Sequence, residues 1–132
     1  MELDFGKELG ATEPPLGQRL TLYIPNKDRV GALIPNHDRW AKEAQELLTL
    51  IGGGATAFPP VDGTWQQPDG NVLWEQTRVI YTFADPDKLI ANFGRLHEFL
   101  HRFGRETGQG EVVVEFDGRF WCIRQFDSAR EV

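Results

Sequence analysis

The chain opens its ordered part with alternation. Leu20, Leu22 and Ile24 take every second position between Arg19 and Ile24, with Thr21 and Tyr23 between them, which predicts a half-buried strand that Pro25 stops. A loop from Asn26 to Asn36 follows, and then the period changes. Trp40, Ala44, Leu47, Leu48 and Ile51 recur at three- and four-residue spacing, so a helix is expected from the capping stretch Asn36 to Asp38 as far as Ile51. Gly52-Gly53-Gly54 ends it, because glycine accepts the left-handed conformation at a helix C-terminus. Ala55 to Trp65 reads as an extended edge segment broken by Pro59-Pro60. The turn Gln67-Pro68-Asp69-Gly70 folds it back onto a long strand, Val72 to Phe83.

Asp85 and Pro86 supply the cap and first-turn proline of a second helix. Its core stripe is Leu89, Phe93, Leu96, Leu100 and Phe103, and Gly104 or Gly108 ends it. Two last strands, Glu111 to Phe116 and Arg119 to Gln125, flank the hairpin dipeptide Asp117-Gly118. The order is β-α-β-β-α-β with one more strand hairpinned to its end. That predicts an α+β fold: a ferredoxin-like antiparallel sheet with an extra C-terminal hairpin strand and two helices on one face. Residues 1–17 read as a flexible N-terminal arm, 18–127 as a single domain and 128–132 as a tail.

Composition narrows the function classes. An apolar fraction of 40% and a charged fraction of 26% are those of a globular chain, and no stretch reaches the length of a membrane span. A net charge of −6 with scattered basic residues argues against gripping phosphate backbones, so nucleic acid is an unexpected partner. Cys122 is the only cysteine and the start lacks a signal-peptide pattern, from which a cytoplasmic location is expected. Within its strand Cys122 is expected to be buried and inert.

One stretch spells a known chemistry. His97-Glu98-Phe99-Leu100-His101 matches the H-E-x-x-H pattern of zinc metalloproteases, with His97 and His101 as ligands and Glu98 as general base. Two histidines four apart share one side of a helix, here roughly 80 to 140° from the centre of the apolar stripe. A catalytic zinc needs a third protein ligand. Thr107 stands where the extended motif has its third histidine, no histidine follows His101, and Met1 is the only methionine. A solvated helix flank is therefore the expected state, no cofactor is expected, and a zinc-dependent hydrolase is the alternative.

The denser oddity is Gly52 to Gln76, where glycines, prolines, Trp65, Trp74, Thr56, Asp62 and Glu75 crowd together. Its structural reading is a helix cap, a bulged edge and a hairpin with Trp65 packed on Trp74. Its functional reading is a binding edge formed by Gly53, Gly54, Thr56, Asp62, Trp65 and Glu75. Glu75 shares strand parity with Leu73, Val79, Tyr81 and Phe83, the set expected to face the helices. A carboxylate there needs a partner such as Arg39 or Lys42, unless a bulge near Gln76 turns it outward.

With Tyr23-Ile24-Pro25 before it and Gln109-Gly110-Glu111-Val112 after the second helix, this stretch resembles a group of small uncharacterised bacterial proteins. They share a Gly-Gly-Ala-Thr … Gly-x-Trp segment ahead of an acidic strand. The resemblance implies a ferredoxin-like fold and carries no activity. The expected function is thus a non-enzymatic binding or accessory module, acting through the open sheet face or the Gly52 to Thr64 edge. It would hold a larger protein or a second copy of itself, as a homodimer.

Overall fold

The computed structural model describes residues 2–11 and 17–128. Arm residues 12–16 and tail residues 129–132 lie outside them, as does residue 1. The first element, α1 (Phe5–Leu9), is a single turn that the sequence pattern did not announce. Asp4 caps it by accepting from the Lys7 N–H, and none of its residues is buried.

The sheet is built from β1 (Arg19–Pro25), β2 (Thr56–Ala57), β3 (Val61–Gln66), β4 (Val72–Phe83), β5 (Val112–Phe116) and β6 (Arg119–Ile123). Among the described residues it has six strands, all antiparallel. The order runs β4, β1, β5, β6 from one side, and β2 and β3 share the outer edge of β4. That is the ferredoxin-like arrangement with β6 added by a hairpin, as the pattern predicts. Pro59-Pro60 explains the divided edge. Without amide protons the pair cannot continue the ladder, so β2 pairs near Tyr81 and pairing resumes at Val61↔Thr77.

Two helices, α2 (His37–Gly52) and α3 (Pro86–Glu106), cover one face. Asp85 caps α3 by accepting from the Lys88 N–H at 3.0 Å. Between the helices and the sheet lie Leu20, Leu22, Ile24, Ala44, Leu48, Ile51, Ile80, Phe99 and Phe103. The stripe of α3 differs from its expected course. Phe99 is buried in place of Phe93, which is 57% exposed, because α3 leans toward α2 and packs Phe99 and Phe103 against Trp40. No helix among the described residues is long and apolar enough to cross a membrane.

Candidate functional site

Residues opposite one another in an antiparallel pair share a face. Leu20, Leu22 and Ile24 point at the helices, so their partners Thr82, Ile80 and Arg78 do as well. The other set of β4, containing Glu75, Thr77, Val79 and Tyr81, must face away. Glu75 therefore keeps the parity expected of it, but that whole set lies on the open face, and Arg39 and Lys42 are not its partners. No bulge is needed, for pairing runs unbroken from Val61↔Thr77 to Gln66↔Val72.

A cleft of about 340 Å³ opens on this face. Tyr23 of β1, Trp65 of β3, Glu75 and Thr77 of β4, Val113 of β5 and Phe120 of β6 line it, with Gln109 at one end. Its volume falls in the range of small-molecule sites. Gly63 stands opposite Glu75 in the β3–β4 ladder and makes the room. A Cβ there would come within 2.8 Å of Thr77 Oγ1 and 3.4 Å of Glu75 Cγ. Gly110 lies against Trp65, whose Cη2 would be in ordinary contact, at 3.6 Å, with a Cβ at that position. The rings of Tyr23 and Phe120 approach at 6.5 Å.

The electrostatics are unusual for an open sheet. Burial lifts the Glu75 carboxyl above its ordinary 4.5, and Lys27 only partly offsets this. Lys27 is occupied elsewhere: its Nζ donates to the Trp74 carbonyl at 2.7 Å, tying the loop after β1 to β4. Burial also raises the Tyr23 phenol above 10.0; Glu115 adds to the rise and Arg19 opposes it. Glu115 itself accepts from the Thr21 hydroxyl at 3.0 Å, and Glu111 on the rim accepts from Arg124 at 3.3 Å. The cleft thus offers aromatic surfaces around a carboxylate that a cationic ligand would stabilise.

Of the residues singled out from sequence, Trp65 and Glu75 come together in this cleft. Asp62 pairs with Gln76 on the reverse side of β3. Gly53 closes α2 in a left-handed conformation, the Gly54 carbonyl accepts from the Thr82 hydroxyl, and Thr56 pairs with Tyr81. Those three serve the α2–β2 connection and do not line the cleft. The expected Trp65–Trp74 packing fails for the same reason of parity. Trp65 lies opposite Leu73 and Trp74 opposite Thr64, so the indoles project to opposite faces. Cys122 is exposed, contrary to expectation, because it stands beside Val113 on the open face of β6, the outermost strand.

Sequence reasoning expected an open binding face carrying Tyr23, Val113 and, as one of two alternatives, Phe120, but named none of them as site residues; it missed Thr77 and Gln109, which read alone as ordinary strand and loop residues. A larger hollow, about 650 Å³, lies between α2 and α3. Arg102 there pairs with Glu43, Glu98 and Glu106 and stacks over Trp40, a salt-bridge seam along one side of the hollow. Glu98 pairs with Arg102 at 3.1 Å, one turn further along α3.

No family model matches the sequence, and no curated protein matches it. Two solved structures share its fold. A phage SAM lyase in complex with S-methyl-5'-thioadenosine superposes with a TM-score of 0.59 at 12% identity, covering 86% of this chain and 95% of that one. A phage SAM lyase in its apo state gives 0.58 at 13% identity, covering 86% and 94%. At such identities the likeness establishes architecture. It also corrects two expectations, those of a non-enzymatic accessory module and of no cofactor, since both neighbours are an enzyme and one holds a nucleoside.

Proposed function

We propose that the open-face cleft binds a sulfonium nucleoside, S-adenosylmethionine, and that the protein is an enzyme that cleaves it. The carrying observation is the half-buried Glu75 set among Tyr23, Trp65 and Phe120. The shared fold with a SAM lyase supports the choice of ligand. In this reading an aromatic wall takes the adenine by stacking, and Glu75 faces the sulfonium. A cation beside a carboxylate held in a low-polarity site is stabilised by charge and by nearby ring faces alike. That cation also reverses the effect of burial, so ligand binding draws the Glu75 carboxyl back toward ionisation.

A lyase breaks a carbon–sulfur bond without adding water. The amino-acid carboxylate of the same substrate bonds to the carbon attached to sulfur as the carbon–sulfur bond breaks; the bonding pair passes to sulfur, and the products are a lactone and a neutral thioether. The residues of the cleft would hold the two reacting parts together and keep water from competing. Once the charge is gone, Glu75 no longer favours the bound nucleoside, which promotes release. The cytoplasm, expected from the lone Cys122, belongs to the same reading.

The test is direct. Purified protein incubated with S-adenosylmethionine should yield S-methyl-5'-thioadenosine, seen by chromatography against a protein-free control. Glu75→Gln and Trp65→Ala should each lose most of that yield while remaining folded. No product above the control rate would overturn the proposal.

A further inference from the structure

On the helix side of the sheet, far from the use proposed for Glu75, three ligand groups converge. His97 and His101 lie one turn apart on α3 with their rings stacked at 4.1 Å. Asp127 arrives from the segment after β6, its Oδ2 lying 2.8 Å from His97 Nε2 and 3.9 Å from His101 Nδ1. One ligand atom from each of the three lies within 4.8 Å of the others. Around a tetrahedral zinc with bonds of about 2.0–2.1 Å, ligand atoms stand roughly 3.3 Å apart, so modest side-chain rotation would seat one ion here.

The convergence is built and not a chance meeting of a loose end. Arg105 donates to the Asp127 carbonyl at 2.5 Å, and the Asp127 N–H donates to His101 Nδ1 at 2.9 Å. Phe126 sets its ring edge-on to His101, with centroids 6.1 Å apart. Gly104 makes this possible, because a Cβ there would overlap the Phe126 ring. The His101 side chain is only 12% exposed. Asp127 is the third group of the cluster, and no sequence motif announces it, since it lies 26 residues beyond His101 in the chain.

We propose that His97, His101 and Asp127 form a site for a divalent transition-metal ion of the zinc class, which pins the C-terminal segment to α3. Two imidazoles and one carboxylate suit such an ion and disfavour magnesium or calcium, which prefer all-oxygen shells. The ion takes over His101 Nδ1 from the Asp127 amide, and water completes the coordination. The site is structural: Glu98, occupied by Arg102, supplies no base.

Calorimetric titration of the full chain with zinc chloride, and separately with magnesium chloride, tests this alongside thermal unfolding. One zinc per chain should bind tighter than about 10 μM, with a rise in melting temperature that a chelator reverses. Magnesium should do neither. Asp127→Asn, which keeps the backbone contacts of the clasp, and His101→Ala should each weaken zinc at least tenfold; Glu98→Gln should leave it unchanged. Zinc affinity in Asp127→Asn equal to that of the wild type would reduce the site to an adventitious histidine pair. Failure of the wild type to bind zinc, or a Glu98→Gln loss matching His101→Ala, would overturn it as well.

Discussion

The two faces of one sheet make opposite use of the same strands. Along β4, Ile80 and Thr82 are sealed under helices, while one position away Val79 and Tyr81 lie on the face turned away from α2 and α3. The sealed face is aliphatic and closely packed, with Leu22, Ile24 and Ile80 wholly buried. The open face is aromatic and acidic: Tyr23, Trp65, Tyr81 and Phe120 stand among Glu75, Glu111 and Glu115. Aliphatic packing supplies stability without specific chemistry, and rings beside a half-buried carboxylate supply recognition at some cost in stability. The fold thus separates what holds it together from what it acts with, across the thickness of one strand.

The largest effects should fall on the sealed face. Phe103→Ala and Ile80→Ala should each cost about 2–5 kcal/mol in denaturant unfolding, because both leave cavities among fully buried neighbours. Val79→Ala, on the open face of the same strand, should cost under about 1 kcal/mol. Equal costs at Ile80 and Val79 would break the comparison.

Recognition should show the reverse order. Trp65→Ala, at a residue 37% exposed, should barely move stability yet weaken nucleoside binding at least tenfold, about 1.4 kcal/mol. A large stability loss without a binding loss would make Trp65 a packing residue.

The pH dependence of stability sharpens the same contrast. Folding raises the Glu75 carboxyl above 4.5, so the folded chain keeps this proton to a higher pH than the unfolded chain does. The stability gained from that proton is present below the ordinary value and is lost as pH rises through the folded one. Glu75→Gln should therefore gain on the wild type as pH goes from acid toward neutral, as urea unfolding at several pH values would show. The opposite trend would mean that Glu75 is held ionised by a partner.

The smallest effect belongs to the outer strand. Cys122→Ser should change stability by less than about 0.5 kcal/mol, and Cys122 should react with a thiol reagent in the native protein, since it is exposed on β6.

Much of this architecture is written in local chemistry. Asp85-Pro86 opens α3 as its residue types require, and Asp117-Gly118 turns the last hairpin with φ angles of 54° and 79°. The alternation of Leu20, Leu22 and Ile24 fixed the inward face of β1. It could not fix that of β4, where both parities carry apolar residues and only pairing with β1 decides. The cleft was less legible still, because five strands and a loop contribute one to three residues each. Trp65 and Glu75 stood out as a tryptophan and a misplaced acid; Val113 and Phe120 showed only as open-face positions, the latter as one of two alternatives. The histidine pair was visible as a motif, but its partner Asp127 is set by the path of the chain after β6.

The central claim is that the open face recognises a sulfonium nucleoside through Glu75. Calorimetric titration of S-adenosylmethionine and of S-methyl-5'-thioadenosine into the wild type and Glu75→Gln, near neutral pH, tests it most directly. The account predicts that the wild type binds the charged ligand more tightly than the neutral one, and that Glu75→Gln loses this preference while still binding the thioether. Equal preference in both proteins, or no binding of either ligand by the wild type, would contradict it.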